Sequence, residues 1–304
     1  MNTRTFLASF FGLALVAGGC AAPDDGSLEA QAALNGAPEP APPGAHGFLQ
    51  RGEAKSGGAP AGDMTYHGGN VLIANKALAI FWGSEWTTDT SDKIPGVDSF
   101  FSGLDSSNFA GTSDEYTDAS GAHVTSSTTY LGHTIDSSAA PRRAINTSTA
   151  VNEACTITNN NPDPNAIYFL FTSTGAGHVN YCAWHSWGTC SNGALVQVAY
   201  MPNIDGIAGC DPQDTWTTHS QGLSALANVT SHEWSEARTD PRGSGWFDSG
   251  NAENGDKCAW SFHGPVTLKN GSTWKLQMEW SNAAFDASSG YANRSGQLGC
   301  LQGQ

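Results

Sequence analysis

Residues 221–241 read QGLSALANVTSHEWSEARTDP, and the reading of this stretch decides what the rest of the chain must build around. Leu223, Leu226, Val229, Glu233 and Ala237 recur at steps of three or four, the spacing of one helix face. Pro241 ends the run because it lacks the backbone donor a continuing helix needs. Thr217, Thr218 and Ser220 stand upstream as candidate N-caps. In such a helix His232 and Glu236, four apart, project together, while Glu233 sits about 100° round the axis. This is the geometry of the HExxH zinc helix with a glutamate in place of the second histidine. A solvated helix end with three charges is the plainer alternative. The apolar run LSALANV just before the motif argues against it, because it carries the helix toward a core.

Zinc accepts carboxylate oxygen as well as imidazole nitrogen, and a catalytic site keeps one position open beside three protein ligands. The third ligand is expected after the chain turns back. There, residues 245–258, GWFDSGNAENGDKC, offer Asp248, Glu253 and Asp256. Asp240 before Pro241 reads as a helix-terminating turn residue that could also orient a ligand. His185 in CAWHSW and His219 in TTHSQG read as packed, hydrogen-bonded structural histidines. No GxSxG elbow occurs, which disfavours a serine hydrolase.

The flanking chain points to export. Residues 1–20 carry Arg4, an apolar run from Phe6 to Ala17, then small residues and Cys20, the layout of a secretory signal. The ending VAGGC resembles a bacterial lipoprotein box, so cleavage before Cys20 and lipid on its sulfur are expected, with ordinary secretion the alternative. The apolar run is too short for a permanent span. Residues 21–62 are rich in Ala, Gly and Pro with Phe48 their only aromatic, and are expected to form a disordered tether or a pro-segment. One folded domain is expected over 64–304. Six further cysteines, Cys155, Cys182, Cys190, Cys210, Cys258 and Cys300, form an even set that suits disulfides in an exported chain. Their pairing is not legible, and no CxxC pair suggests a cysteine zinc site. A net charge of −15 with 13 Lys and Arg residues excludes a nucleic-acid partner.

Near-continuous apolar runs at 70–83 and 165–175 predict strands covered on both faces, and 194–203 is a third candidate. A weaker, Thr-rich strand is expected at 124–135. Asn270-Gly271 lies between two alternating runs and predicts a hairpin. Residues 94–104 predict a second helix. The expected fold class is therefore α/β (α+β): mostly sheet, loop-rich and disulfide-stapled, with a central helix carrying the motif.

The run SHEWSEARTDPRGSGWFDSGNAENGDKCAW (231–260) resembles a group of secreted bacterial and fungal proteins with HExxEAxTDP, GWxD and EIGDKCAW. More distantly it is similar to the plant EXORDIUM/phosphate-induced family. YHGGNVLIANKALAIFWG, NAIYFLFTSTG, YCAWHS, QMEWSN and the terminal GC match in order, so the resemblance covers roughly 64–301. Here AENGDKC replaces the usual EIGDKC. That group looks like a divergent branch of the zincin metallopeptidases. The resemblance implies a zincin-like fold with His232, Glu236 and Glu253 as Zn2+ ligands and Glu233 as general base. It implies a peptide or protein substrate and a membrane link through the N-terminal lipid alone. The alternative is a non-catalytic extracellular EXORDIUM-like protein with a structural Ca2+ site built from Glu236, Asp240, Asp248, Glu253 and Asp256.

Overall fold

The computed structural model describes residues 36–53 and 62–303. The signal, the lipoprotein box and Cys20 lie outside them. Its centre is a six-stranded mixed sheet. In chain order the strands are β1 (His46–Leu49), β3 (Asn75–Trp82), β4 (Thr128–Asp136), β5 (Ala166–Thr172), β6 (Tyr181–Thr189) and β7 (Leu195–Met201). A short β2 (Thr65–Tyr66) precedes β3 and lies outside this sheet. The spatial order is β1-β6-β7-β5-β3-β4. Strands β4, β3, β5 and β7 run parallel, β6 runs antiparallel to β7, and β1 antiparallel to β6.

Helices cover both faces, as a buried parallel sheet requires. Helices α1 (Lys93–Leu104) and α3 (Gln221–Thr239) pack on one face, and α2 (Thr147–Ile157) packs on the other. Strand β5 shows how the apolar run is used. Ile167, Phe169 and Phe171 enter the α1/α3 core, while Ala166, Tyr168 and Leu170 enter the α2 core. Period-two alternation with both faces apolar produces the unbroken run.

Past α3, short ribbons pair β2 with β8 (Trp246–Phe247), β9 (Val266–Thr267) with β10 (Thr273–Trp274), and β11 (Glu279–Trp280) with β12 (Cys300–Leu301). The β9/β10 hairpin turns at the expected Asn270-Gly271, where Gly271 has φ +85°. One-turn helices α4 (Asn254–Lys257) and α5 (Asn282–Asp286) complete the chain. The expected strands and both expected helices are present. All six cysteines are paired, as Cys155–Cys190, Cys182–Cys210 and Cys258–Cys300, an arrangement that suits an oxidising compartment. No helix among the described residues is long and apolar enough to cross a membrane.

The expected domain start needs correction. The compact unit begins at Pro38, not at 64, so part of the presumed tether is folded. Strand β1 adds to the free edge of β6, with His46 opposite His185 and Phe48 opposite Ala183. The physical reason is Phe48. It is fully buried and stacked between His232 (3.9 Å between ring centres) and Trp260 (4.6 Å). Burying one such side chain contributes roughly 1.5–3 kcal/mol, and strand pairing satisfies the backbone around it.

Candidate metal centre

Helix α3 is fixed at its start by the Ser220 hydroxyl, which accepts from Leu223 N–H at 3.1 Å. Every residue from Leu223 to Thr239 is buried, so the polar half of the helix lies inside the molecule. Its two polar sides do different work. On one side the Trp234 indole donates to Asn75 Oδ1 (3.0 Å), and the Arg238 guanidinium lies 3.6 Å from the Trp234 ring centre. Arg238 also donates to the carbonyls of Ala110 and Thr125. On the other side His232, Glu236 and Asp240 follow one another at four-residue steps. Asp240 stops the helix: its Oδ1 accepts from Ser244 N–H and Gly245 N–H, both at 2.7 Å.

The acidic loop then returns over this second side. Asp248 does not join the cluster. Its Oδ1 holds the turn through Gly250 and Ala252 N–H, and its Oδ2 pairs with Lys257 Nζ at 3.0 Å. The expectation of Asp248 as an alternative ligand is therefore corrected, because both its oxygens are already used. Glu253 caps α4, whose backbone presses onto α3. A Cβ on Gly255 would come within 2.7 Å of His232 Nδ1 and 2.9 Å of Glu236 Oε1, so this position requires glycine. Asp256 N–H donates to Glu236 Oε1 at 3.0 Å.

Two histidines arrive from the sheet. On β6, Trp184 enters the α2 core while Ala183 enters the α3 core, so His185, two residues on from Ala183, faces α3. His185 Nδ1 lies 3.0 Å from Glu233 Oε2, and its Nε2 lies 3.7 Å from Glu253 Oε2. The structural reading of His185 is thus corrected. His219 fits that reading, with Nε2 on the Thr273 carbonyl and its ring stacked on Trp274. From β1, His46 Nδ1 reaches Glu253 Oε2 at 3.1 Å, and Phe48 N–H donates to Glu233 Oε1 at 3.2 Å.

Five carboxylates, Glu233, Glu236, Asp240, Glu253 and Asp256, therefore meet three imidazoles, all buried except the partly exposed His46 and Asp256. Candidate ligand atoms fall within 4.8 Å of one another in three trios, the last two sharing Glu236: His46, Asp240 and Glu253; His185, Glu233 and Glu236; His232, Glu236 and Asp256. The expected ligands are divided among these. His232 and Glu236 stand together at 3.1 Å, whereas Glu253 groups with His46 and Asp240. Glu236 Oε2, Asp240 Oδ2 and both oxygens of Glu253 have no hydrogen-bond donor among the described residues. The His46–Glu253 contact is thus close without being aligned as a hydrogen bond.

Burial, joined by the charges of Glu236, Asp240 and Asp256, pushes Glu253 far above the usual carboxylate range. Burial also raises Glu233 despite its bond to His185. Burial opposes ionisation of Glu236, yet His232 beside it outweighs this and lowers its pKa. So many buried carboxylates need protons or a cation.

Hydrogen bonds orient the two imidazoles. Gln277 Nε2 donates to the Gly255 carbonyl (2.9 Å) and faces His232 Nδ1 (3.0 Å), while its Oε1 accepts from Trp260 N–H. A flipped amide would lose the first and last of these bonds, so His232 Nδ1 accepts from Gln277, while its Nε2 lies 3.1 Å from Glu236 Oε1. His185 meets a carboxylate through the other nitrogen. Its Nδ1 faces Glu233, and its Nε2 has no partner among the described residues. A carboxylate–imidazole pair with the far nitrogen free is the arrangement that prepares a histidine for a metal.

No protein-family model, curated protein or solved structure matches this chain.

Proposed function

We propose that the protein is a metal-dependent hydrolase, zinc first among candidate ions, acting on peptides or proteins outside the cytoplasm. The observation that carries the reading is a buried cluster in which carboxylate oxygens of Glu236, Asp240 and Glu253, and the Nε2 atoms of His185 and His232, have no hydrogen-bond partner among the described residues. Glu236 and Glu253 remain candidate ligands, in different trios: Glu236 with His185 or His232, and Glu253 with His46 and Asp240. His185 joins His232 as a candidate nitrogen ligand, since the Nε2 of each lacks a hydrogen-bond partner among the described residues. Mixed oxygen and nitrogen donors suit zinc, and with Asp248 committed to Lys257 the all-oxygen calcium set loses a member.

When bound, the ion would polarise a scissile carbonyl and acidify a coordinated water. Glu233 is placed to take the proton: Oε2 is held by His185, and Oε1 faces the sheet edge where Phe48 N–H now sits. A helix bearing HExxE beneath the antiparallel end of a mixed sheet supports a zincin-like reading of the fold. The three disulfides support export, and lipid anchoring at Cys20 is proposed from the N-terminal sequence.

Elemental analysis of the purified full chain tests the centre, with one zinc per chain expected. His185→Ala and Glu253→Gln should lose the ion, while Glu233→Gln should retain it and lose hydrolysis. Zinc kept by His185→Ala but lost by His232→Ala would give the nitrogen-ligand role to His232 alone. A chain that binds no transition metal would sink the reading altogether.

A further inference from the structure

We propose that the segment around β1 is an internal inhibitor of the centre: His46 to Leu49 lies where a substrate must enter, and the site opens only when this segment leaves. The proposal rests on the hydrolase reading above and specifies how that site is regulated. Its basis is an inconsistency between chemistry and accessibility. Glu233 and Glu253 are 0 % exposed and His185 is 1 % exposed. No substrate reaches a base in that state, so something covering it must move.

Strand β1 is the element whose contacts fall on the reacting groups themselves. Phe48 N–H occupies Glu233 Oε1, the oxygen that His185 leaves free. His46 Nδ1 sits against Glu253. The Phe48 ring lies flat on His232. These are the positions a bound peptide would compete for: a backbone amide at the base, a donor at the proposed metal ligands, and an apolar side chain in a pocket walled by Trp260.

The way β1 is attached also fits a removable ligand. It pairs with β6 on one side alone, as the sheet edge. Its further bonds include those in which Trp260 Nε1 donates to the Leu49 carbonyl, Gln50 N–H to the Asn180 carbonyl, and Arg51 N–H to the Gly209 carbonyl. Immediately after it, Gly52 and Glu53 are exposed. Withdrawal would leave β6 with an unpaired edge beside Glu233, and such an edge accepts an extended chain through its backbone groups.

The test uses the zinc-loaded full chain carrying a site-specific protease sequence inserted after Glu53, with a synthetic peptide spanning residues 38–51 as the probe. After cutting and size exclusion, hydrolysis of an unfolded protein substrate should rise about tenfold or more, the change expected when about 1.4 kcal/mol of blocking interaction is removed. Adding the 38–51 peptide should restore the block competitively. In the uncut chain His46→Ala should raise hydrolysis several-fold with its zinc content unchanged; loss of zinc would make His46 a ligand rather than a blocking group and overturn the proposal. The proposal is overturned if neither the cut chain nor His46→Ala gains activity over an active intact chain. It is equally overturned if circular dichroism shows that the cut chain unfolds, which would make β1 a structural strand. In both cases the hydrolase reading survives. If zinc fails to bind and no form hydrolyses, that reading fails and the inhibitor proposal falls with it.

Discussion

Glu253→Gln should reverse its effect on stability when the metal is supplied. In the metal-free chain Glu253 places two carboxylate oxygens with no donor at 0 % exposure, beside Glu236, Asp240 and Asp256. Burial and those neighbours hold the carboxyl protonated in the fold, whereas the unfolded chain releases the proton; a neutral isostere removes this cost of proton uptake. The variant should therefore gain on the order of 1–3 kcal/mol in EDTA at neutral pH. For a folded unit of this size 1 kcal/mol moves the midpoint by about 2–4 °C, giving a rise of about 2–12 °C. With zinc at a thousand times its dissociation constant, wild type gains about 4.1 kcal/mol, or about 8–16 °C. The variant, short of one ligand, should gain little. The two melting curves should therefore exchange order between EDTA and zinc, as followed by scanning calorimetry on both chains in both buffers. Equal zinc-induced shifts would remove Glu253 from the ligand set. A variant less stable than wild type in EDTA would refute the reasoning that burying this carboxyl costs stability.

Three further outcomes are expected. Gly255→Ala should cost about 1–3 kcal/mol through overpacking against His232 and Glu236, with weaker zinc uptake read by titration. Glu153 is held up at about 8, first by burial and then by the hydrogen bond and charge of Asp136. Because the folded carboxyl keeps a proton that the unfolded chain releases near 4.5, stability should fall as pH rises from about 4.5 to about 8. Glu153→Gln should flatten that part of the melting profile against wild type. Replacing Cys182 and Cys210 with serine opens a loop of sequence separation 28 and should cost about 3–4 kcal/mol in denaturant melts, while thiol titration of the denatured, unreduced domain should find none of the six cysteines free.

What the sequence made legible follows from how local each signal is. Helix α3 could be read because its apolar spacing, its Ser220 cap and its Pro241 stop all lie within one stretch. Strands β3, β5 and β7 could be read because both of their faces are apolar. Strand β6 escaped notice because Trp184 and His185 face different layers, so YCAWHSWGT has no hydrophobic period. Helix α2 is rich in threonine and rests on Asn146, whose Oδ1 accepts from Thr149 N–H. Composition hid β1, since one phenylalanine decides whether it packs. In the candidate site, the i, i+4 face of α3 and the closeness of Glu253 were readable. The arrival of His185 and His46 was not, because it depends on strand pairing between segments far apart in sequence. Asp248 was misread for the opposite reason: its neighbours at 250, 252 and 257 absorb both oxygens.

The Cys258–Cys300 bond joins the residue that closes α4 to β12, near the chain's end. It makes one wall of the centre a fixed wall. The loop carrying Glu253 and Asp256 cannot swing away from α3 without dragging the C-terminal ribbon with it, whereas the wall formed by β1 has no covalent fastening of that kind. Length changes in the chain should therefore be tolerated very differently on the two sides. Residues added around Gly52 would leave the centre's dimensions intact, while a single residue added between Glu253 and Cys258 would shift the register of Gly255 and Asp256 against α3.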